Sequence, residues 1–380
     1  MSFLEKLIFK PSVSVRHSER IRNIVPGDYN NDGRLDLLVM SGNTEGANAI
    51  SVYFSDLIGG FERPVQAPSS ATAQPFLVDS NGDMKIDLLG TSPINNKLVL
   101  WKNIWNGTDP NNRVFNLTEP LFQGNTPCDI SDPHSNAFID LDGDCLADIF
   151  LTCQKPNSQQ RTFQIWVNSA EQDNFVFKMS GQFPNGMGSI TFADMDRDGT
   201  IDMVFPTCRS IDSQLGIGHK CSLNIVYNKQ RPLCKSGSSA QDQGFCRTPN
   251  DLCTKDSDFQ FDFSEDTSNE WFERIDLETA FGFDSLLMND VTYDPPLPVT
   301  VRIGDLTLDG YPDIIVIGVS GSGNRSPYIL NSIPCSHNIA GCDSRGNGRR
   351  GFKVVTAGTE TVRRITDARG VAVMDLDEDV

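Results

Sequence analysis

Five times in 380 residues the sequence repeats a nine-residue pattern: oxygen-bearing side chains at positions 1, 3, 5 and 9, then an apolar run. The first two copies carry Asp28, Asn30, Asp32 and Asp36, then Asp79, Asn81, Asp83 and Asp87. The third and fourth carry Asp140, Asp142, Asp144 and Asp148, then Asp194, Asp196, Asp198 and Asp202. The fifth has Asp305, Thr307, Asp309 and Asp313, and a sixth opens at Asp375-Leu-Asp377-Glu-Asp379 and meets the chain end. Oxygens on alternate residues of a tight turn converge on one point. Glycine at position 6 (Gly33, Gly199, Gly310) lets the chain bend. The backbone carbonyl of position 7 (Arg34, Lys85, Leu146, Thr200, Tyr311) and the aspartate at position 9 would close the shell. Such a hard, flexible, all-oxygen set suits Ca²⁺ better than Mg²⁺ or a transition metal. Up to about five calcium sites are therefore expected. Loops three and four, with four carboxylates each, are expected to be the strongest. Loop two has Met84 where glycine is expected and loop five has the neutral Thr307, so both should be weaker.

The loop is not an EF-hand, which closes on a glutamate at position 12 and leads into a helix. Here strand-like residues follow at once: Leu37–Val39, Ile149–Leu151, Met203–Phe205 and Ile314–Ile317. One copy alone would pass for an acidic surface turn; five in one register do not. Successive first aspartates lie 51, 61, 54, 111 and 70 residues apart, a period suited to four short strands per unit. This points to an all-β chain and a β-propeller. Strands are expected at Ile21–Pro26, Leu37–Met40, Ala49–Phe54 and Phe61–Val65 in the first unit. Third strands are expected at Lys97–Lys102, Phe163–Asn168, Leu223–Asn228 and Tyr328–Ile333. Blades are expected over about 20–70, 71–125, 133–182, 188–295 and 300–358, with partial strands in 1–18 and 360–380. The long gap is read as one blade carrying a cysteine-rich surface excursion over about 229–290. Five blades with leftover strands at both ends suggest a larger ring, so the chain is expected to be part of a longer protein.

The net charge of −18 disfavours nucleic acid and anionic membrane as partners. Five calcium ions would leave roughly −8, so much of the acidity is ligand charge rather than a docking patch. Ten cysteines without zinc-type spacing suit disulfides in an oxidising compartment. Short loops favour Cys208 with Cys221 and Cys335 with Cys342; Cys128, Cys145, Cys153, Cys234, Cys246 and Cys253 cannot be paired from sequence. Residues 1–10 do not read as a signal peptide, and no apolar run has the length of a membrane span. Sequons at Asn106, Asn116 and Asn324 are no more frequent than composition would produce. The four histidines (His17, His134, His219, His337) fall in no catalytic or zinc signature, and carboxylates committed to metal cannot serve as general acids, so no enzyme is expected. Trp101, Trp105 and Trp166 could form a sugar platform but are read as packing residues.

The calcium loops resemble those of the integrin-α FG-GAP repeats. Longer strings resemble the T-cell immunomodulatory protein family, also called Linkin. These are Pro133-His134-Ser-Asn-Ala-Phe-Ile-Asp140, Ala147-Asp148-Ile-Phe-Leu-Thr152, Phe163-Gln-Ile-Trp166, Val25-Pro-Gly-Asp28-Tyr29, Ile303-Gly-Asp305 through Asp313, and Leu330-Asn-Ser-Ile-Pro-Cys335. The resemblance implies a seven-bladed extracellular propeller on a single-pass type I membrane glycoprotein with a signal peptide, acting in cell-surface interaction and adhesion. Close cysteine pairs fall in that family where Cys208/Cys221 and Cys335/Cys342 stand here. The implied partner is a cell-surface protein of unknown identity. The alternative reading is an accessory, carbohydrate-binding propeller of a secreted enzyme whose catalytic part lies outside this chain.

Overall fold

Each loop joins two antiparallel strands in one fixed register. The residue before the loop pairs with its closing aspartate: Gly27 with Asp36, Val78 with Asp87, Ile139 with Asp148, Ala193 with Asp202 and Gly304 with Asp313. A shift of one residue would turn every following apolar side chain to the wrong face. The structure is a computed structural model that describes residues 13–42, 47–71, 74–107, 113–130, 135–154, 160–169, 173–231, 234, 246–247, 253–266, 269–293, 296–343, 346 and 348–373. The sixth loop, His134 and most of the expected opening strand lie outside the described residues.

Every loop opens a four-stranded antiparallel meander. The first comprises Ile21–Gly27, Asp36–Gly42, Asn48–Tyr53 and Val65–Ser70; the second Phe76–Val78, Asp87–Thr91, Leu98–Asn103 and Phe115–Thr118. The third comprises Ala137–Ile139, Asp148–Gln154, Arg161–Asn168 and Asn174–Gln182, with Leu121–Gln123 added beside the last strand. The fourth comprises Thr191–Ala193, Asp202–Asp212, Ile217–Val226 and Phe272–Asp276; the fifth Arg302–Gly304, Asp313–Val319, Arg325–Ile333 and Gly351–Val354. A short strand, Leu286–Leu287, pairs with both Ile217–Val226 and Asp313–Val319 and joins these two meanders in one sheet. The fourth strand of the first meander lies later than expected, because Phe61 makes only an isolated bridge to Ser55. The single α-helix among the described residues, Leu277–Phe281, has Asp276 as N-cap accepting from Thr279 N. The class is all-β, and no sheet closes on itself among the described residues.

The described residues form two compact units. In the first (Met1–Leu121 with Glu171–Asn174), Leu38, Met40, Ile50 and Val52 share one buried cluster with Leu88, Val99, Trp101 and Phe115. Trp101 is fully buried and its Nε1 donates to Pro68 O at 2.7 Å. In the second unit, Phe150, Phe163 and Ile165 of the third meander pack with Met203, Phe205 and Val226 of the fourth. Leu223, Ile225 and Ile275 of the fourth pack with Ile314, Val316 and Leu330 of the fifth. Burying each such side chain contributes about 1.5–3 kcal/mol.

The segment read as a surface excursion is corrected by this packing. Phe259 and Phe261 are buried in the cluster shared by the third and fourth meanders, with Phe263 against it, and Gln260–Phe261 pairs with Asn228–Lys229. The fourth strand of that meander, Phe272–Asp276, also lies inside the expected excursion. Three phenylalanines at alternate positions supply the apolar face that a solvated loop would lack.

Candidate metal centres

The five loops share one hydrogen-bonding plan. At position 1, one carboxylate oxygen accepts the N–H of position 6 at 2.6–2.9 Å in all five loops: from Gly33, Met84, Cys145, Gly199 and Gly310. At position 5, Oδ1 accepts the N–H of position 7 at 2.9–3.0 Å, from Arg34, Lys85, Leu146, Thr200 and Tyr311. These bonds hold the first and fifth side chains inward and fix position 7, whose carbonyl is the expected ligand.

Two positions in every loop, not one, take a left-handed backbone. Position 4 has positive φ at Asn31, Gly82, Gly143, Arg197 and Leu308; position 6 has it at Gly33, Met84, Cys145, Gly199 and Gly310. Each loop therefore has one glycine among its two left-handed positions, and loops two and three place it at position 4. Met84 takes the same left-handed backbone as Gly33, Gly199 and Gly310, and the glycine two residues earlier marks loop two.

The closing aspartates are bound at both ends. Asp36, Asp87, Asp148, Asp202 and Asp313 are at most 1% exposed. In each, Oδ2 accepts the N–H of position 2 at 2.9–3.2 Å. Their Oδ1 atoms accept an N–H at or near the end of the third strand at 2.7–2.9 Å, from Ser55, Asn103, Asn168, Asn228 and Ser332. Position 9 thus pins the loop to the sheet, in addition to the ligand role expected for it. Burial outweighs these hydrogen bonds and raises all five carboxyls, Asp148 to about 8 and Asp202 well above the usual range.

Carboxylates converge most closely where the acid count is highest. One oxygen from each of Asp140, Asp142 and Asp144 lies within 4.8 Å of the others, as do those of Asp194, Asp196 and Asp202. Among the described residues, Asp148 and Asp198 stand outside these two groups, and loops one, two and five gather no such trio. Asp142 is fully buried, and its Oδ2 faces Lys255 Nζ at 2.9 Å; the buried Asp196 Oδ1 has no hydrogen bond. A buried carboxylate oxygen left without a hydrogen bond, beside two further converging acids, fits a hard divalent cation.

The cysteine-rich segment clamps loops three and four. Cys145, position 6 of loop three, is bonded to Cys253, and Asp256 N donates to Asp142 O at 2.7 Å. Arg247, flanked by the Cys234–Cys246 disulfide, donates to Gly199 O of loop four at 2.9 Å. A Cβ at Gly143 in loop three would lie 2.5 Å from Arg247 Nη1, so this glycine also makes room for the guanidinium. Asn228 Nδ2 donates to Leu141 O of loop three at 2.9 Å, and Asn103 Nδ2 does the same to Tyr29 O of loop one. Neighbouring loops are thus tied by asparagines at the ends of third strands. The sequence hints at this only in the recurring asparagine of Trp101-Lys102-Asn103 and Val226-Tyr227-Asn228.

All ten cysteines are paired: Cys208–Cys221 and Cys335–Cys342 as expected, with Cys128–Cys153, Cys145–Cys253 and Cys234–Cys246. Five disulfides suit an extracellular or lumenal compartment. No helix among the described residues is long and apolar enough to cross a membrane. Trp101 and Trp166 are fully buried, and Trp105 packs on Phe54, so the three form no exposed platform. His219 Nδ1 lies 3.0 Å from Ser285 Oγ, but that hydroxyl donates to Asp284, so the histidine is not placed to take its proton.

Comparison with known proteins agrees with the loops. The FG-GAP-like repeat family matches residues 140–205, the start of loop three to the strand after loop four. T-cell immunomodulatory protein of Homo sapiens is 29% identical over 98% of this chain, which covers 53% of the human protein. The protein of that name in Rattus norvegicus is 28% identical over 98% of this chain and 53% of its own length. A homologue in Plasmodium yoelii yoelii is 26% identical over 87% of this chain and 50% of its own length. The chain spans about half the length of these relatives. With the five repeated loops and their common register, the chain is thus similar along nearly its whole length to the T-cell immunomodulatory proteins, and it carries the FG-GAP-like repeat.

Proposed function

We propose that this chain is a non-enzymatic, calcium-stabilised extracellular β-propeller module that engages a protein partner at a cell surface, in a longer type I membrane protein. The observation that carries the reading is the common hydrogen-bonding plan of five acidic loops on five meanders. A ring of such meanders presents loop-built faces for binding, and metal in the turns stiffens them. The absence of an exposed tryptophan platform weighs against a carbohydrate-binding accessory domain.

Two measurements test the two halves of the proposal. EDTA should lower the melting temperature by several degrees and excess Ca²⁺ should restore it; identical melts in EDTA and Ca²⁺ would overturn the calcium assignment. Fluorescently labelled chain in millimolar Ca²⁺ should bind intact cells, and prior trypsin treatment of the cells should abolish binding. Binding that survives trypsin would overturn the protein-partner assignment.

A further inference from the structure

Loops three and four differ from the others at position 3, where Asp142 and Asp196 replace Asn30, Asn81 and Thr307. In both, that extra carboxylate meets a cation from a distant part of the chain. Lys255 Nζ lies 2.9 Å from Asp142 Oδ2. Arg349 pairs with Asp196 and lies 3.6 Å from Asp198 Oδ2. Position 5, which all five loops share, has its own neighbours elsewhere: Arg34 at Asp32 within loop one, and Arg350 at 4.0 Å from Asp309 in loop five. Among the described residues, both loops with an acid at position 3 bring it a cation from a distant part of the chain.

The backbone around Lys255, whose side chain is exposed, and the guanidinium of Arg349, which is partly buried, are each held in place by other contacts. Lys255 is bracketed by the Cys253–Cys145 disulfide to position 6 of the same loop and by the Asp256 N–H on Asp142 O. Arg349 is stacked on Trp271 at 4.1 Å and Tyr227 at 4.8 Å. Both are delivered to the mouth of the loop by groups that do not depend on the ion pair.

We propose that Lys255 and Arg349 are built-in counter-cations of loops three and four, which share the position-3 carboxylate with calcium and so weaken calcium binding there below what four acids would give. This rests on the calcium reading above. It removes the advantage expected from acid count, since the extra carboxylate is shared with the tethered cation. In calcium-free protein the same cations relieve repulsion among the clustered aspartates.

The test is calorimetric titration of the full chain with CaCl₂, paired with thermal melts in EDTA and in Ca²⁺. A unit charge removed from beside a divalent ion changes affinity by roughly tenfold. Lys255→Gln should therefore tighten one calcium site about tenfold, and Arg349→Gln another, with stoichiometry unchanged. Adding Asp142→Asn to Lys255→Gln should bring that site back to within about threefold of wild type. Each single variant should melt lower than wild type in EDTA yet gain more on adding calcium; a merely structural ion pair would lower the melt without tightening calcium. Lys97→Gln, on a cation paired at 4.0 Å with Glu119 and outside the loops, is the control and should change neither quantity. Wild type that binds calcium while Lys255→Gln and Arg349→Gln leave every site unchanged or weaker would overturn this proposal alone. Wild type that binds no calcium would overturn the calcium reading itself and this proposal with it. Arg349→Lys keeps the charge and should retain wild-type affinity, which guards against misfolding of the glutamine variant.

Discussion

The double hydrogen bonding of the closing aspartates leads to a sharp prediction for Asp313→Asn. Asp313 is fully buried and accepts from Leu306 N and Ser332 N, both at 2.9 Å. Asparagine offers its carbonyl to one of these N–H groups and an NH₂ to the other. One buried donor is left facing another donor, at about 1–3 kcal/mol, and the remaining bond loses its charge assistance, about 1 kcal/mol more. Against this, the variant no longer buries a carboxyl whose pKa burial raises, which offsets part of that cost. The net loss in EDTA is therefore about 2 kcal/mol. With Ca²⁺ at ten times its dissociation constant, a bound ion adds about 1.4 kcal/mol to wild type, which the variant forgoes if the site fails. Urea unfolding in EDTA and in Ca²⁺ separates the two parts, and more than half of the total loss should persist in EDTA. Asp309→Asn at position 5, whose exposed carboxylate accepts the Tyr311 N–H and lies 4.0 Å from Arg350, should cost less than about 1 kcal/mol in EDTA. If Asp313→Asn matched wild type in EDTA and differed only in calcium, position 9 would be a ligand with no part in pinning the loop.

Two further outcomes follow from the same geometry. The Glu273 carboxyl accepts from Tyr227 Oη at 3.0 Å, its other oxygen is buried without a hydrogen bond, and burial pushes it up to about 8. A folded pKa above the unfolded one gives stability that is full below about pH 4.5 and is lost as pH rises towards 8. Glu273→Gln should remove that slope and exceed wild type by about 2–4 kcal/mol at pH 8 while matching it near pH 5, read from urea midpoints across pH. Met84 holds φ +62° and is 85% exposed, so Met84→Gly should be neutral to stabilising by up to about 1 kcal/mol, whereas Gly82→Ala at φ +71° should cost about 1 kcal/mol in thermal melts.

What was legible in the sequence was local. The Asp28, Asp79, Asp140, Asp194 and Asp305 loops and the strand that begins at each closing aspartate are written in nine consecutive residues, so spacing alone reveals them. Position 6 was legible because glycine marks it in three loops; position 4 was not, because Asn31, Arg197 and Leu308 adopt the same left-handed conformation without a tell-tale residue type. Tertiary partners were illegible for a different reason. Nothing near Lys255 or Arg349 states that either will meet an aspartate more than a hundred residues away, and Cys145–Cys253 spans 108 residues. Short cysteine separations such as Cys208–Cys221 could be paired from spacing because a two-strand hairpin brings them into register. The cysteine-rich segment was misread because its polar content hid Phe259 and Phe261, whose alternation is a strand signal only if the segment folds back onto Asn228–Lys229.

The loops bear on the origin of the chain's acidity. A carboxylate is a better acceptor than any neutral group for the inward-pointing N–H groups of a tight turn, and positions 1, 5 and 9 each hold such donors. Three or four carboxylates gathered for that purpose repel one another, and the buried ninth cannot ionise cheaply. A cation beside the turn relieves that repulsion. A solvent-borne divalent ion offers one solution, reversible and dependent on its concentration; Lys255 and Arg349 offer another, permanent and tied to the chain. On the proposed reading loops three and four combine both, and they are also the loops to which the cysteine-rich segment is fastened through Cys145 and Arg247. Release of Lys255 by calcium would therefore be transmitted to residues 253–256, the stretch that also carries the disulfide and the Asp256 backbone contact. On the proposed reading, calcium at loop three would act on the setting of that segment as well as on the turn.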